Sequence, residues 1–399
     1  MSTVAVICEY NPFHSGHLYH FRRIREEFGD DTAIVAIMSG NFTQRGEIAI
    51  APKSYRAEAA LECGANLVLE LPFPYSSSSA ELFASAGVAI ADRLGFVDYL
   101  SFGSENGNIA ALKKAAQILD GEEFKLAFAS LSKNKAMGYP ERCEAAYRQV
   151  ASENMAFTPN NILAIEYIRA INRLNSSIAP HTVARYGADY NSEDMAADIH
   201  PSAMAIRCAI NGGNADIIST LPEGSKIPLR RALELGDFPT NEKQLSSAVI
   251  SSLRLSPDSP CEVYHDAGDG LYNRLKGASF EASDISSLLE LSAAKIYTNA
   301  RLRRTMWNIF IGVTSSDVKV SPMYTQVLAL DPTGMTLLKS KRKSDDFFVL
   351  TKPSDTKNFS DDALRQKLLS DKADSIFELA KPIPKSGKSA LRFTPYVKK

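Results

Sequence analysis

The stretch NPFHSGHLYH (11–20) sets three histidines, His14, His17 and His20, directly behind the apolar run VAVICEY. Two chemistries could use them. A zinc site on a helix wants histidines four apart, or a separate Cys/His pair with further ligands, and this spacing supplies neither. No metal site made of side chains is expected. An anion fits better. A helix N-terminus presents unpaired N–H groups and partial positive charge, and Gly16 has no Cβ to hold the backbone off a phosphate. His14 and His17, three residues apart, share one face and both donate to phosphate oxygens. There is no GxxxxGK[ST] P-loop, and no GxGxxG follows the first strand, which argues against a dinucleotide oxidoreductase. His20, beside Tyr19 and Phe21, has no evident chemistry.

The elements that must position these groups are read from periodicity. TVAVICE, TAIVAIMS, NLVLELP and DYLSFGSE are apolar runs of strand length. Between them HLYHFRRIREEFG, KSYRAEAALECG and SAELFASAGVAIADRLG read as helices closed by glycine. Right-handed βαβ crossovers and a parallel sheet follow: a doubly wound, Rossmann-like α/β domain. Ligands in such folds sit outside the carboxyl ends of the strands, where NPFHSGH, SGNFTQRG and FGSEN fall. Beyond, a helix opens behind Pro159, HTVARY reads as a strand, and HPSAMAIRCAINGG as a short serine-capped helix. YSSSS (75–79) reads as a loop and a helix cap. From about Asp216 the pattern is helical, and YTQVLALD and TGMTLLKS read as late strands. The expected division is 1–215 (nucleotide-binding, catalytic), 216–325 (helical and basic) and 326–399 (a small α/β region).

With 399 residues, the chain is too long for one compact core. A net charge of −1 means that any surface for a polyanion must come from local clustering. Five scattered cysteines suggest neither a disulfide framework nor zinc spacing. No signal peptide and no apolar run long enough to span a bilayer is seen, so the expected location is the cytoplasm, away from membranes. The sequence does not reveal the oligomeric state.

HSGH resembles the HxGH form of the HIGH motif of nucleotidyltransferases and class I aminoacyl-tRNA synthetases. SAMAIR (202–207) resembles the second nucleotidyltransferase motif, [ST]-[ST]-x-x-[IV]-R, with Ala203 in place of a hydroxyl. The longer frame VICEYNPFHSGHLYH, SGNFTQRGEIAI, K..RAEAAL, SFGSE, PNNILA, R.GADY and SAMAIR resembles the bacterial tRNA(Met) cytidine acetate ligase family end to end. That resemblance implies activation of acetate by ATP to acetyl-adenylate, then acetylation of the wobble cytidine of elongator tRNA(Met). It makes His14 and His17 catalytic. It also implies ATP contacts from Ile7, Cys8, Glu9, Tyr10, Asn11, Pro12, Phe13, His14, Ser15, Gly16, His17, Leu18, Tyr19 and His20, and from Gly103, Asn160 or Asn161, Arg185, Ser202 and Arg207.

Adenylation is mostly positioning and stabilisation of charge on phosphorus oxygens. Lys53 and Arg56 read either as further triphosphate charges or as solvated first-turn residues, and Mg²⁺ is the expected companion of ATP. Asn41, Gln44 and Arg45 are the candidate acetate contacts. Glu105 suits either ribose or a helix cap. Arg301, Arg303 and Arg304, with Lys341 and Arg342 of KSKRK (339–343), are candidates for tRNA phosphates, while Trp307 and Phe310 read as core. Two other readings stay open: a small-molecule adenylyltransferase of coenzyme metabolism, and a non-catalytic nucleotide binder.

Overall fold

The computed structural model describes residues 1–131, 137–151, 155–185, 201–259, 263–342, 344 and 346–398. GADY (187–190) and Lys343 lie outside the described residues. The strands are β1 (Thr3–Cys8), β2 (Ala33–Ser39), β3 (Leu67–Leu71), β4 (Tyr99–Ser104), β5 (Ala179–Ala184), β6 (Tyr324–Leu330), β7 (Phe348–Leu350) and β8 (Tyr396–Val397). They form one sheet in the order β5-β4-β1-β2-β3-β6-β7, with β8 beside β6. The first five are mutually parallel, as the alternation of runs and helices requires.

Successive residues of a strand point to opposite faces. Val4 and Val6 therefore pack with Phe21 and Ile24 of α1 (Ser15–Phe28) and with Ala57 and Leu61 of α2 (Lys53–Glu62). Ala5 and Ile7 pack with Phe83 and Val88 of α3 (Ala80–Leu94) and with the helix Pro159–Arg173. Both faces are covered, which is why β1, β2 and β3 show no polar alternation. Gly29 (φ 101°) and Gly95 (φ 76°) close α1 and α3 in conformations that a Cβ disfavours. Ser79 caps α3, as its place behind the serine run suggests.

One expectation about residues 326–399 is corrected. TGMTLLKS is not a strand but the helix Pro332–Ser340, capped by Asp331, whose Oδ1 accepts the Gly334 N–H at 2.8 Å. An Asp-Pro pair is a cap plus a first helical residue, and that signal outweighs a short apolar alternation. The strand β6 pairs antiparallel with β3 and extends the main sheet. The helices from Ser246 to Ile311 enclose a core of Leu253, Leu275, Leu302, Met306 and Trp307. Phe42, Ile48 and Phe73, from the loops after β2 and β3, enter that same core. The helical part is thus seated on the carboxyl ends of these two strands.

Candidate active site

The histidine turn caps α1. The His14 Nδ1 accepts the Gly16 N–H at 3.0 Å, and the His17 Nδ1 accepts the His14 N–H at 3.2 Å. Each neutral imidazole therefore carries its proton on Nε2, the nitrogen that can donate to a phosphate oxygen. The rings lie 3.9 Å apart between centroids. Burial, then the neighbouring His14, push the His17 imidazole well below its ordinary pKa, so it is a neutral donor at pH 7. A Cβ on Gly16 would sit 2.8 Å from His14 Cε1, so glycine keeps this ring in place.

Around it, most side chains of the first loop are committed to packing. Tyr10 and Phe13 are buried, with ring centroids 4.8 and 5.3 Å from that of His17. Ile7 packs on Gly87 of α3, and burial pushes the Cys8 thiol up. His20 is held by Ser101 at 2.7 Å and pushed down to about 4 by burial. What Ile7, Cys8, Tyr10, Phe13 and His20 can offer a nucleotide is backbone. Asn11, joined to Pro12 by a cis peptide, accepts the Ile50 N–H on its Oδ1 at 2.8 Å. Ser15, Leu18 and Tyr19 are half-buried on α1.

Arg207 reaches this loop from the helix Ala203–Asn211, whose N-cap is Ser202. Its Nη1 donates to the Asn11 carbonyl at 3.0 Å and its Nη2 to Glu47 at 3.1 Å. Ser202 thus caps a helix whose second turn carries Arg207 to the first loop.

On the β4 side, a Cβ on Gly103 would lie 3.4 Å from Arg185 Cγ. Arg185 donates to the Asn160 Oδ1 at 2.7 Å, and Asn160 donates to Glu105 at 2.9 Å. The hydrogen bond from Asn160, above all, holds the Glu105 carboxyl below the usual range. The two asparagines have different surroundings. Asn161 is buried and fastens the Glu105 and Ala156 backbones, the cap is Thr158 and not an asparagine, and Asn160 joins Arg185 at the surface.

The loop after β2 departs furthest from expectation. Asn41 is buried, with its Nδ2 donating to Asp374 at 2.9 Å and its Oδ1 accepting the Lys53 N–H at 2.8 Å, so its amide is not offered to acetate. Lys53 is neither solvated nor aimed at a phosphate: its buried Nζ lies 2.6 Å from both Glu70 and Asp374. Burial opposes its charge, but these two carboxylates outweigh it and hold the ammonium charged. Arg56, also buried, donates to the carbonyls of Ala51 (2.9 Å), Glu9 (2.6 Å), Ser39 (3.2 Å) and Gly40, tying together the ends of β1 and β2. Glu9 accepts the Gln44 N–H at 2.9 Å, while Arg45 is exposed.

The helix Asn299–Ile311 clamps this loop from outside. Trp307 is fully buried and donates its Nε1–H to the Gly46 carbonyl at 2.8 Å. Gly46 has φ 73°, and a Cβ there would meet Arg303 Cβ at 2.6 Å and the Arg304 N at 2.7 Å. The arginines expected to face RNA have internal partners: Arg301 with Asp269 (3.0 Å), Arg303 with Glu242 (2.6 Å) and Arg304 with Asp266 (2.9 Å). Lys341 and Arg342 lie beside Leu94 and Gly95, at the amino edge of the sheet, away from the histidine turn. Glu47, Glu70 and Asp374 were not foreseen, because a carboxylate's partner far along the chain leaves no local signal.

Residues 1–390 match the model of the HIGH nucleotidyltransferase family. The chain is 36% identical over 385 residues to the tRNA(Met) cytidine acetate ligase of Acetivibrio thermocellus, covering 92% of each chain. It is 37% identical over 345 residues, 85% of each chain, to the ligase of the same name from Caldicellulosiruptor saccharolyticus. Among solved structures it is similar to Thermotoga maritima TmcAL bound with alpha-thio ATP, with a TM-score of 0.89, 28% identity and full coverage of both chains. A histidine-capped turn at the end of β1 and similarity that runs through the helical half lead to one conclusion: the chain belongs to the HIGH nucleotidyltransferases, within the tRNA(Met) cytidine acetate ligases.

Proposed function

We propose that the chain joins acetate to ATP as acetyl-adenylate and passes the acetyl group to the wobble cytidine of elongator tRNA(Met). The observation that carries this is the pair of Nδ1-anchored imidazoles at the start of α1, each with its proton on Nε2. Those protons face charge that grows on the α-phosphate oxygens as an acetate oxygen bonds to phosphorus and pyrophosphate leaves. Acetate is already ionised at neutral pH, so this step needs no protein base. In the second step the cytidine amine bonds to the acetyl carbon, AMP leaves, and the amine loses one proton.

Arg207 and the helix start at Ser202 suit the departing phosphates, and the Arg185–Asn160 edge beside Gly103 suits the nucleoside. Gln44 and Arg45 remain the acetate candidates. Glu9, Glu47 and Glu105 already accept hydrogen bonds from Gln44, Arg207 and Asn160. Among the described residues no group of three His, Cys, Asp or Glu could hold a metal ion. A Mg²⁺ ion accompanying ATP would be coordinated through the triphosphate oxygens.

Among the described residues no helix is long and apolar enough to cross a membrane, and a cytoplasmic location is the proposal that goes with a tRNA substrate. Similarity through the helical half weighs against the coenzyme reading, which does not need that half. The test is ATP–pyrophosphate exchange with acetate, propionate or formate. Exchange should require the carboxylate and be fastest with acetate; equal exchange without any carboxylate would refute the assignment.

A further inference from the structure

A cavity of about 170 Å³ opens beside β6 and β7, lined among others by Gln326, Lys352, Lys367, Asp371, Asp374 and Phe393. It shares the edge of the sheet that carries the histidine turn. Val327 pairs with Leu69, which places Gln326 near Glu70 at the carboxyl end of β3. The inner wall is Asp374, the carboxylate that holds both Lys53 and the Asn41 amide of the loop after β2.

Charge gathers here. Residues 351–399 carry 11 Lys/Arg against 6 Asp/Glu, in a chain with 45 against 46. Lys352, Lys357, Lys372, Lys388 and Arg392 are exposed and, among the described residues, form no ion pair. Lys352 lines the cavity, and the other four adjoin or lie within two residues of its lining residues Thr356, Asp371, Ala390 and Leu391. The contrast with Arg301, Arg303 and Arg304, each already paired with a carboxylate, is direct.

We propose that this cavity and its cationic rim are a grip for the RNA substrate. The exposed ammonium and guanidinium groups take backbone phosphates, and the cavity admits one unpaired base against Phe393. Single-stranded RNA is read in this way, with bases splayed onto aromatic rings between phosphate contacts. Gln326 and Asp371 supply amide and carboxylate groups at the wall for the edge of the base. The inference rests on the reading of tRNA as the acceptor.

The test uses the full chain, an unmodified elongator tRNA(Met) transcript, and two readouts: the tRNA Kd across a salt series, and acetate-dependent ATP–pyrophosphate exchange without tRNA. The double variant Lys352→Glu/Arg392→Glu should weaken tRNA binding at least about tenfold and lower the slope of log K against log salt by roughly 1 to 2. Its exchange should stay within about twofold of the parent. Phe393→Ala should weaken binding roughly tenfold with an unchanged slope, and Phe393→Tyr should restore it. Unchanged binding and slope in the double variant, with exchange intact, would overturn the proposal even if Phe393→Ala did not fold. So would loss of exchange without loss of tRNA binding, which would assign the cavity to adenylation or to a small anionic ligand. A parent chain with no carboxylate-dependent exchange would instead refute the ligase reading and leave tRNA binding to be scored separately.

Discussion

His14 and His17 are held in one tautomer. Each Nδ1 accepts a backbone N–H, so protonating that nitrogen would break the cap of α1 as well as charge the ring. Replacing His17 by Ala should lower acetate-dependent exchange by roughly 10² to 10³, as removal of one transition-state donor does. ATP affinity should change far less, because the donor gains most when phosphorus carries extra charge. The same two-turn stretch sets a pH dependence. His17 and His20 both have folded pKa values below the ordinary 6.5 of a histidine, about 4 for His20. The unfolded chain therefore binds protons that the folded chain refuses. Their contribution to stability is complete above about pH 6.5 and falls as the pH drops from there toward 4, by up to roughly 1.4 kcal/mol per pH unit per histidine. Urea melts at pH 5 and pH 7 should show this loss, and His20→Gln should reduce it; an equal loss in the variant would remove His20 from the account.

The element that decides the shape of the site is the loop after β2. It is tied by Asn41 to Asp374, by the Gln44 N–H to Glu9, by Glu47 to Arg207 and by the Gly46 carbonyl to Trp307. Trp307→Phe leaves a buried carbonyl without its donor, at a cost of about 1–3 kcal/mol. It should raise the KM for acetate severalfold and leave that for ATP within about twofold. Gly46→Ala, which adds a clash with Arg303 to a left-handed backbone, should be worse on both stability and acetate KM. If Trp307→Phe left the acetate KM unchanged, the loop would not line the acetate pocket. How much of this was legible follows from the range of each interaction. HSGH, the serine cap at Ser202 and the parallel strands are local patterns and stand where they were read. The role of Lys53 was not legible, because its partners lie 17 and 321 residues away and nothing around "APKSYR" reports them. Arg56 binds carbonyls, which every residue has, so its sequence context carries no trace of its burial. Trp307 read as core, and it is; that its indole also holds the loop follows only from the fold.

For the whole molecule, the buried group of Lys53, Glu70 and Asp374 joins α2, β3 and the helix Asp361–Phe377. Lys53→Met would strand two buried carboxylates and should cost about 3–5 kcal/mol, whereas combining it with Glu70→Gln and Asp374→Asn should recover much of that loss. Urea denaturation of the three-residue variant beside the single one checks this; equal destabilisation would mean that the lysine acts by packing alone. Removing residues 323–399 should leave an aggregation-prone chain, since it takes away β6 and bares the edge of β3.

The tether from Asn41 to Asp374 spans 333 residues, and the one from Gly46 to Trp307 spans 261. During synthesis, the parallel strands and the histidine cap can form while these anchors are still inside the ribosome. A nascent chain arrested near residue 300 would therefore hold a nucleotide turn with a slack neighbouring loop. Competence for acetate would arrive late in translation, as one of the last properties that the growing polypeptide acquires.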